Sequence, residues 1–213
     1  MQKRYKINEI FRSIQGEGYL AGTPCLFIRF AGCNMACPFC DTDHSVKMEL
    51  TANEIYGRLV ELNPKANIYW VVLTGGEPLL QVDTGLLELL GESYEIALET
   101  NGTVKLDGEL MFEHIACSPK AQPKDLQLSY CHELKVLYPP IEDKNGNPII
   151  PESFDDTTIS VDGDCFLQPV QPINQGQVDH KAWQDNIQST VEKVQELPGW
   201  RLSLQIHKMI GLR

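Results

Sequence analysis

Residues 33–40 read CNMACPFC, so that three thiols, Cys33, Cys37 and Cys40, lie within one short loop. A loop of this length can turn all three sulfur atoms towards one point. Three thiolates leave a tetrahedral zinc site one ligand short, and His44, just beyond the loop, could complete it. Zinc sites more often pair two close thiols with two further ligands about a dozen or more residues away. The alternative is a [4Fe–4S] cluster held by three thiolates, whose fourth iron binds a ligand that is not protein.

Length and composition indicate an ordinary globular domain. The chain has 213 residues, 42% of them hydrophobic and 22% charged, which is enough for one domain with a substantial core. Its net charge of −11 disfavours a protein that binds nucleic acid. Seven cysteines, an odd number with three clustered, indicate a reducing compartment rather than a disulfide framework. The N-terminus lacks the apolar core of a signal peptide, and no apolar run approaches the roughly 18 residues that a membrane span needs. We therefore expect a cytoplasmic protein.

Strand and helix patterns alternate along the chain. Strand patterns cover residues 7–14, 25–30, 68–73, 94–98, 114–117, 133–137, 165–167 and 202–206. Helix patterns run from the capping box Thr51-x-x-Glu54 to about Asn63, from Thr84 to Leu90, and from Asp179 to the stop at Pro198-Gly199. This alternation predicts parallel βαβ units, but about six parallel strands do not complete an eight-fold barrel. We expect a single α/β domain with an incomplete TIM-type barrel, a short N-terminal strand extension and an irregular insert at about 139–158.

Polar motifs follow several of the predicted strands. In a parallel sheet these strand ends share one face, where α/β proteins bind ligands. Each motif alone fits an ordinary turn, whereas several of them beside the cysteine loop indicate a site. The motifs are GGEP at 75–78, ETNG at 99–102, SPK at 118–120 and QP at 171–172. Arg29 also interrupts an apolar strand, so it needs either a ligand carboxylate or a protein carboxylate as its partner.

The spacing Cys-x₃-Cys-x₂-Cys, with the aromatic Phe39 before the last cysteine, resembles that of the radical S-adenosylmethionine enzymes. In that superfamily the open iron chelates S-adenosylmethionine. A wider set of motifs resembles one family within it, the 7-carboxy-7-deazaguanine synthases of the queuosine pathway. Those motifs are SIQGEG at 13–18, FIR at 27–29, CDT at 40–42, ETNG at 99–102, SPK at 118–120 and QIHK at 205–208.

The resemblance implies a lyase reaction of 7-deazapurine biosynthesis that serves tRNA modification. In it, 6-carboxy-5,6,7,8-tetrahydropterin is rearranged to 7-carboxy-7-deazaguanine with loss of ammonia. The implied cofactors are a [4Fe–4S] cluster, S-adenosyl-L-methionine and Mg²⁺. The implied partners are the small-molecule pterin, a reductant of the flavodoxin or ferredoxin type and a second copy of the chain in a homodimer, with no nucleic acid and no membrane.

The same resemblance assigns roles to residues at the matching positions. The cluster ligands are Cys33, Cys37 and Cys40, and Thr42 is the Mg²⁺ ligand. The residues expected to bind S-adenosylmethionine are Phe39, Cys40, Asp41, Gly76, Glu77, Gly102, Ser118, Pro119, Lys120 and Gln171. The residues expected to contact the substrate are Ile14, Gln15, Gly16, Glu17, Arg29, Thr100 and His207. Arg29 is expected to pair with the substrate carboxylate, whereas a structural role for His207 on the final strand is the alternative.

Two other hypotheses stay open at this point. An enzyme that installs a glycyl radical on a partner protein would share the cysteine loop and the GGEP turn, but it would not need Arg29 or Thr42. A zinc-stabilised binding module would contain zinc and would need no reducing conditions, and the adjacent polar strand ends disfavour it. The other cysteines, at positions 25, 117, 131 and 165, are interpreted as buried free thiols.

Overall fold

The computed structural model describes residues 2–40, 42–141, 159–174 and 177–212. Within them a nine-stranded sheet has the order β11-β8-β7-β6-β5-β4-β2-β1-β3. Its strands are β1 (Tyr5–Ile14), β2 (Pro24–Phe30), β3 (Met48–Leu50), β4 (Trp70–Gly75), β5 (Glu95–Thr100), β6 (His114–Cys117), β7 (Tyr130–Tyr138), β8 (Ser160–Pro169) and β11 (Trp200–Leu202). A separate pair consists of β9 (Ile173–Asn174) and β10 (Gln177–Val178).

The described helices are α1 (Ala52–Leu62), α2 (Thr84–Gly91), α3 (His180–Glu196) and α4 (Ile206–Met209), with 3₁₀ turns at Pro78–Leu80 and Pro123–Asp125. Their starts follow the chemistry of the sequence. Thr51 accepts from the Glu54 N–H while the Glu54 carboxylate accepts from the Thr51 N–H, which is the predicted capping box. Asp83 and Asp179 cap α2 and α3, because their carboxylates accept from the N–H groups of Leu86 and Ala182 respectively.

Parallel pairing runs without interruption from β2 through β4, β5, β6, β7 and β8 to β11. Seven parallel strands therefore stand where the sequence predicted about six, and the expected α/β architecture of a partial TIM-type barrel is confirmed. β1 and β3 extend the β2 edge antiparallel. The short strand β3 was not predicted, because three residues carry too little alternation to be recognised.

The core lies where the helices pack on the parallel strands. Ile55 and Leu59 of α1, together with Leu86 and Leu90 of α2, are fully buried against it. Burying such a side chain stabilises the fold by roughly 1.5–3 kcal/mol. These apolar contacts hold the strands in register and leave their carboxyl ends open at one face. No described helix has both the length and the apolar character needed to cross a membrane.

One predicted element is wrong. The strand expected at 202–206 ends at Leu202, and Ile206 begins the helix α4. The strand starts early because Gly199, with φ of +85°, turns the chain directly after α3. The Ser203 N–H still donates to the carbonyl oxygen of Leu167 on β8, and the chain leaves the sheet after this residue. His207 consequently lies on a short helix and not on a final strand. Of the predicted insert at 139–158, residues 142–158 lie outside the described residues.

Candidate functional site

The cysteine loop opens into a cavity at the carboxyl ends of the parallel strands, which we call the cluster-side cavity. Its volume is about 220 Å³. The ends of β4, β5, β6 and β8 line it together with the loop, as the shared face of a parallel sheet requires. The predicted site residues in its wall are Glu17, Cys33, Cys37, Phe39, Cys40, Thr42, Gly76, Thr100, Ser118, Lys120 and Gln171.

The donor set in this wall suits an iron–sulfur cluster, because cysteine thiolates are the ligands of such clusters. Cys33, Cys37 and Cys40 all border the cavity. Across the ranges that the structure describes, no three His, Cys, Asp or Glu side chains converge closely enough to hold a single metal ion. A four-iron cluster attaches each thiolate to a different iron atom, so its ligands need not converge on one ion. The three cysteines therefore fit this cluster.

Two glycines bring the turn after β4 against the backbone at the start of the cysteine loop. Gly75 has φ of +123°, a conformation that glycine adopts without strain. A Cβ on Gly76 would lie 1.8 Å from the carbonyl oxygen of Gly32, and the next N–H, that of Glu77, donates to the same oxygen at 3.0 Å. This close approach of two backbone segments positions the cysteine loop, and both glycines also line the cluster-side cavity.

Glu77 is fully buried and lies behind the cavity wall rather than in it. Its carboxylate accepts from the Thr100 hydroxyl at 3.0 Å, from the Asn101 N–H at 2.8 Å and from the Leu79 N–H at 3.1 Å. Burial raises the pKa of this carboxyl, although these hydrogen bonds favour its ionised form. The amide of Asn101 in turn donates to Asn34 of the cysteine loop at 3.1 Å. Glu77 is thus linked to the cavity through the turn that it holds.

A second cavity of about 370 Å³ lies between β1, β2 and the C-terminal helix, and we call it the substrate-side cavity. It gathers all but one of the residues that the sequence assigned to the substrate. Those in its wall are Ile14, Gln15, Gly16, Glu17, Arg29 and His207, together with Thr42. The exception is Thr100, which lines the cluster-side cavity and directs its hydroxyl to Glu77.

Arg29 has a protein partner on the neighbouring strand. Its Nε donates to Oε1 of Glu9 at 2.9 Å, and its guanidinium lies 5.6 Å from the ring centroid of Phe11. Of the two partners left open by the sequence, the structure therefore supplies the protein carboxylate. This pair uses Nε only, and the guanidinium still presents two Nη groups, the geometry that binds a carboxylate in bidentate fashion.

The two cavities adjoin. The residues that border both are Glu17, Thr42, Thr74, Glu99 and Gln205. Among them Glu99 is held at both oxygens, because Oε1 accepts from the Gln15 amide at 2.8 Å and Oε2 accepts from the Thr74 hydroxyl at 2.6 Å. Ligands in the two cavities would therefore lie on either side of the same few polar side chains.

The loop between β1 and β2 closes this region by docking on the C-terminal segment. The Gly16 carbonyl accepts from the Ile206 N–H at 2.9 Å, and the Gly18 N–H donates to Oγ of Ser203 at 2.9 Å. The ring of His207 packs so closely on Gly16 that a Cβ there would lie 1.9 Å from its Nδ1. Gly16 is needed for this packing, whereas Gly18, with φ of +63°, lies against the carboxylate of Glu133.

Lys135 of β7 forms a buried ion pair with Glu17 of this loop. Burial opposes the ionisation of Glu17, but the ammonium of Lys135 more than offsets it, and the pKa of Glu17 falls to about 2. The pKa of Lys135 is raised, because three carboxylates outweigh the cost of burying its charge. Both groups are therefore charged at neutral pH.

Besides Glu77, two predicted site residues of the described ranges line neither cavity, and a third predicted residue lies outside those ranges. Gly102 forms a turn with φ of +79°, where a Cβ would lie 2.8 Å from Sγ of Cys117. Pro119 is buried between Ser118 and Lys120, both of which line the cluster-side cavity. Asp41 lies outside the described residues.

Sequence reasoning missed several polar residues of the site: Glu9, Thr74, Glu99, Lys135 and Gln205. A signal existed for Lys135, because it interrupts an apolar strand just as Arg29 does. Glu99 and Gln205 belonged to recognised motifs, but their roles depend on partners from distant parts of the chain.

Comparisons with known proteins define the class of this site. Residues 27–116 match the family model of the Radical SAM superfamily. The fold is similar to a solved structure of QueE from Escherichia coli, with a TM-score of 0.66 at 23% identity over 96% of this chain and 95% of that one. The superfamily implies a [4Fe–4S] cluster and S-adenosylmethionine, the cofactors expected from the cysteine loop.

Curated relatives narrow the class to one family. The 7-carboxy-7-deazaguanine synthase of Bacteroides thetaiotaomicron is 40% identical over 98% of this chain and 98% of its own length. The enzyme of the same name from Bradyrhizobium diazoefficiens is 36% identical over 98% of this chain and 99% of its own. The chain belongs to the 7-carboxy-7-deazaguanine synthase family, so the family resemblance found in the sequence is confirmed.

Proposed function

We propose that this protein converts 6-carboxy-5,6,7,8-tetrahydropterin to 7-carboxy-7-deazaguanine with loss of ammonia, as a lyase of the queuosine pathway. The observation that carries the proposal is the pair of adjoining cavities. One is lined by the three cysteines, the other by Arg29 and the 14–17 loop, and both share a polar boundary. A radical enzyme needs this arrangement, because the reagent and the substrate must meet without solvent between them.

In the cluster-side cavity, Cys33, Cys37 and Cys40 would hold a [4Fe–4S] cluster. Phe39, Gly76 and Gln171 and the side chains of Ser118 and Lys120 would surround S-adenosylmethionine. When bound, the cluster and S-adenosylmethionine supply the radical that takes a hydrogen atom from the substrate. The chain itself contributes the walls that hold these groups beside the substrate-side cavity.

In the substrate-side cavity, Arg29 would bind the pterin carboxylate through its Nη groups, while Glu9 fixes the guanidinium through Nε. Thr42 borders both cavities, and its hydroxyl would be a ligand of Mg²⁺, which prefers oxygen donors. The backbone of Ile14, Gln15 and Gly16 would contact the heterocycle. His207 packs on Gly16 and would keep this backbone in place.

Three further features complete the proposal. The whole chain acts as one radical S-adenosylmethionine domain, it works as a homodimer, and a reductant of the flavodoxin or ferredoxin type supplies the electron. Size-exclusion chromatography with light scattering tests the dimer. Reduction of the reconstituted protein by flavodoxin, followed by its visible spectrum, tests the reductant.

An anaerobic assay tests the function. The iron-reconstituted protein is incubated with S-adenosylmethionine, a chemical reductant, Mg²⁺ and 6-carboxytetrahydropterin, and the products are analysed by mass spectrometry. We expect 7-carboxy-7-deazaguanine and ammonia in equal amounts. Formation of 5′-deoxyadenosine without this product would retain the radical chemistry and reject the substrate. Zinc in the purified protein, with neither product, would reject the cluster. Cys37→Ala serves as the cluster-free control.

A further inference from the structure

Lys135 is a buried charged residue of β7. Its side chain is 6% exposed, and it lies on β7 between the buried residues Leu134 and Val136. A lysine so deeply buried is costly unless its charge is paired. Its ammonium pairs directly with Glu17, and the carboxylates of Glu99 and Glu133 also act on it.

Lys135 of β7 lies next to carboxylates from two other parts of the chain. Glu17 belongs to the loop between β1 and β2, whereas Glu99 ends β5. Each carboxylate is held by the chain, since Glu17 also accepts from the Gln205 amide at 2.8 Å and Glu99 accepts from Gln15 and Thr74. Both carboxylates border both cavities, and Lys135 lines the cluster-side cavity beside them.

Charge in this cluster is not balanced. One ammonium faces three carboxylates, while the imidazoles of His114 and His207 lie near Glu133 and Glu17 respectively. The excess negative charge lies at the boundary of the cavities, on Glu17 and Glu99. Each carboxylate oxygen can accept more than one hydrogen bond, so both can also accept from a ligand. A ligand that carries several N–H donors would fill the remaining acceptor positions of both carboxylates and place positive hydrogen atoms against their negative charge.

A purely structural role explains this arrangement less well. Apolar side chains of similar volume would tie the loop to β7 with equal or greater stability, because a buried ion pair seldom adds net stability. A charged pair at a cavity wall has a function that an apolar contact lacks, which is to keep a carboxylate ionised and fixed in direction.

We propose that Lys135 is a positioning residue that fixes the carboxylate of Glu17 beside that of Glu99 at the boundary of the two cavities, where both carboxylates accept hydrogen bonds from the N–H groups of the substrate heterocycle. This inference rests on the proposed function, because a pterin presents an amino group and ring N–H groups. The carboxylates then select heterocycles with N–H donors at this edge, while Arg29 binds the carboxylate of the same substrate.

Variants of the ion pair separate positioning from stability. Lys135→Met leaves Glu17 buried without its partner, and we expect both a lower melting temperature and a KM for the pterin that is raised tenfold or more. Lys135→Arg keeps the charge and should restore most of the affinity. The double variant Lys135→Met/Glu17→Gln removes both charges, so we expect its melting temperature to recover while its KM remains raised.

A structural role predicts a different result for the double variant. If the ion pair only ties the loop, restoring the melting temperature restores KM as well, and that outcome overturns the proposal. Glu99→Gln gives an independent measure, because it removes the charge of the second carboxylate and breaks no ion pair. A KM unchanged within twofold in Glu99→Gln likewise overturns it.

Controls keep this test apart from the test of the function. Arg201→Met breaks an exposed ion pair with Asp164, on the β11 edge and outside both cavities, and should leave KM unchanged. The iron content and the visible spectrum of the reconstituted cluster should match those of wild type in every variant, because Cys33, Cys37 and Cys40 are intact. If the wild-type chain fails to convert the pterin, the proposed function is rejected. If the wild-type chain converts it and the variants keep the wild-type KM, only the proposed role of Lys135 is rejected.

Discussion

Adding one methyl group at Gly76 should damage the site more than the fold. The Cβ of Gly76→Ala would lie 1.8 Å from the carbonyl oxygen of Gly32 and 3.1 Å from the N atom of Cys33. Both neighbours are backbone, so no side chain can rotate away. A contact of 3.0 Å is the least that real Cβ atoms show, so the two segments must separate by about 1.2 Å, the difference between 3.0 and 1.8 Å.

The size of the effect follows from this displacement. Overpacking of this kind costs about 1–3 kcal/mol, which for a domain of this length lowers the melting temperature by about 2–12 °C. The separation moves the first cluster ligand relative to the turn that lines the cavity. Because a misplacement of about 1 Å in a catalytic site can cost about 100-fold in rate, we expect kcat/KM to fall by about this factor. Calorimetry measures the melting temperature, the iron content reports on the displaced cluster ligand, and product formation measures kcat/KM.

The matched control is Gly57→Ala. Gly57 lies inside α1, and no heavy atom is within 4 Å of the position that its Cβ would take. Alanine there should stabilise the protein by about 0.5–1 kcal/mol, because glycine is a poor helix former. The reasoning is refuted if Gly76→Ala retains wild-type iron content, melting temperature and turnover.

Three more predictions concern charged groups. Arg29→Ala should keep the iron content and 5′-deoxyadenosine formation while raising the KM for the pterin at least tenfold; an unchanged KM would remove Arg29 from carboxylate binding. Glu77→Gln places an amide against the N–H groups of Leu79 and Asn101. Unfolding in urea should therefore show that the free energy of unfolding falls by about 1–3 kcal/mol. A variant as stable as wild type would contradict this network. The folded pKa of Glu17 lies at about 2, below its usual 4.5, so its stabilisation is present above pH 4.5 and is lost as the pH falls to about 2. The double variant Lys135→Met/Glu17→Gln should lack this part of the pH dependence in urea unfolding, and a variant that keeps it would contradict this assignment.

Local patterns account for what the sequence predicted well. The capping box at Thr51 and the cap of α3 at Asp179 each depend on residues a few positions apart. Such contacts are encoded in a short window of sequence. The alternation of these elements then determines parallel pairing, and parallel pairing places the polar strand ends at one face. The shared location of these motifs was predictable for this reason.

Contacts between distant segments account for what was missed. Glu17 and Lys135 are separated by 118 positions, and Gln205 and Glu17 by 188. No local pattern encodes such pairs. His207 shows the same limit, because its motif was recognised but its helix follows from the point at which Leu202 ends the sheet. Arg29 was recognised as requiring an acidic partner, whereas only the register of β1 and β2 places Glu9 opposite it.

The two cavities are built from different parts of the chain, and this division has a functional consequence. The cysteine loop and the ends of β4 to β8 form the cluster side. The loop between β1 and β2 and the helix α4 form the substrate side, and they contact each other through Gly16 and Ile206. Substitutions in the second group can therefore alter which heterocycle binds without disturbing the cysteine ligands. The contacts that join the two sides are exceptions. The buried pair of Glu17 and Lys135 connects the loop between β1 and β2 to β7, and the Gln15 amide donates to Glu99 of β5. Through such contacts a substitution on the substrate side would also act on the parallel strands of the cluster side.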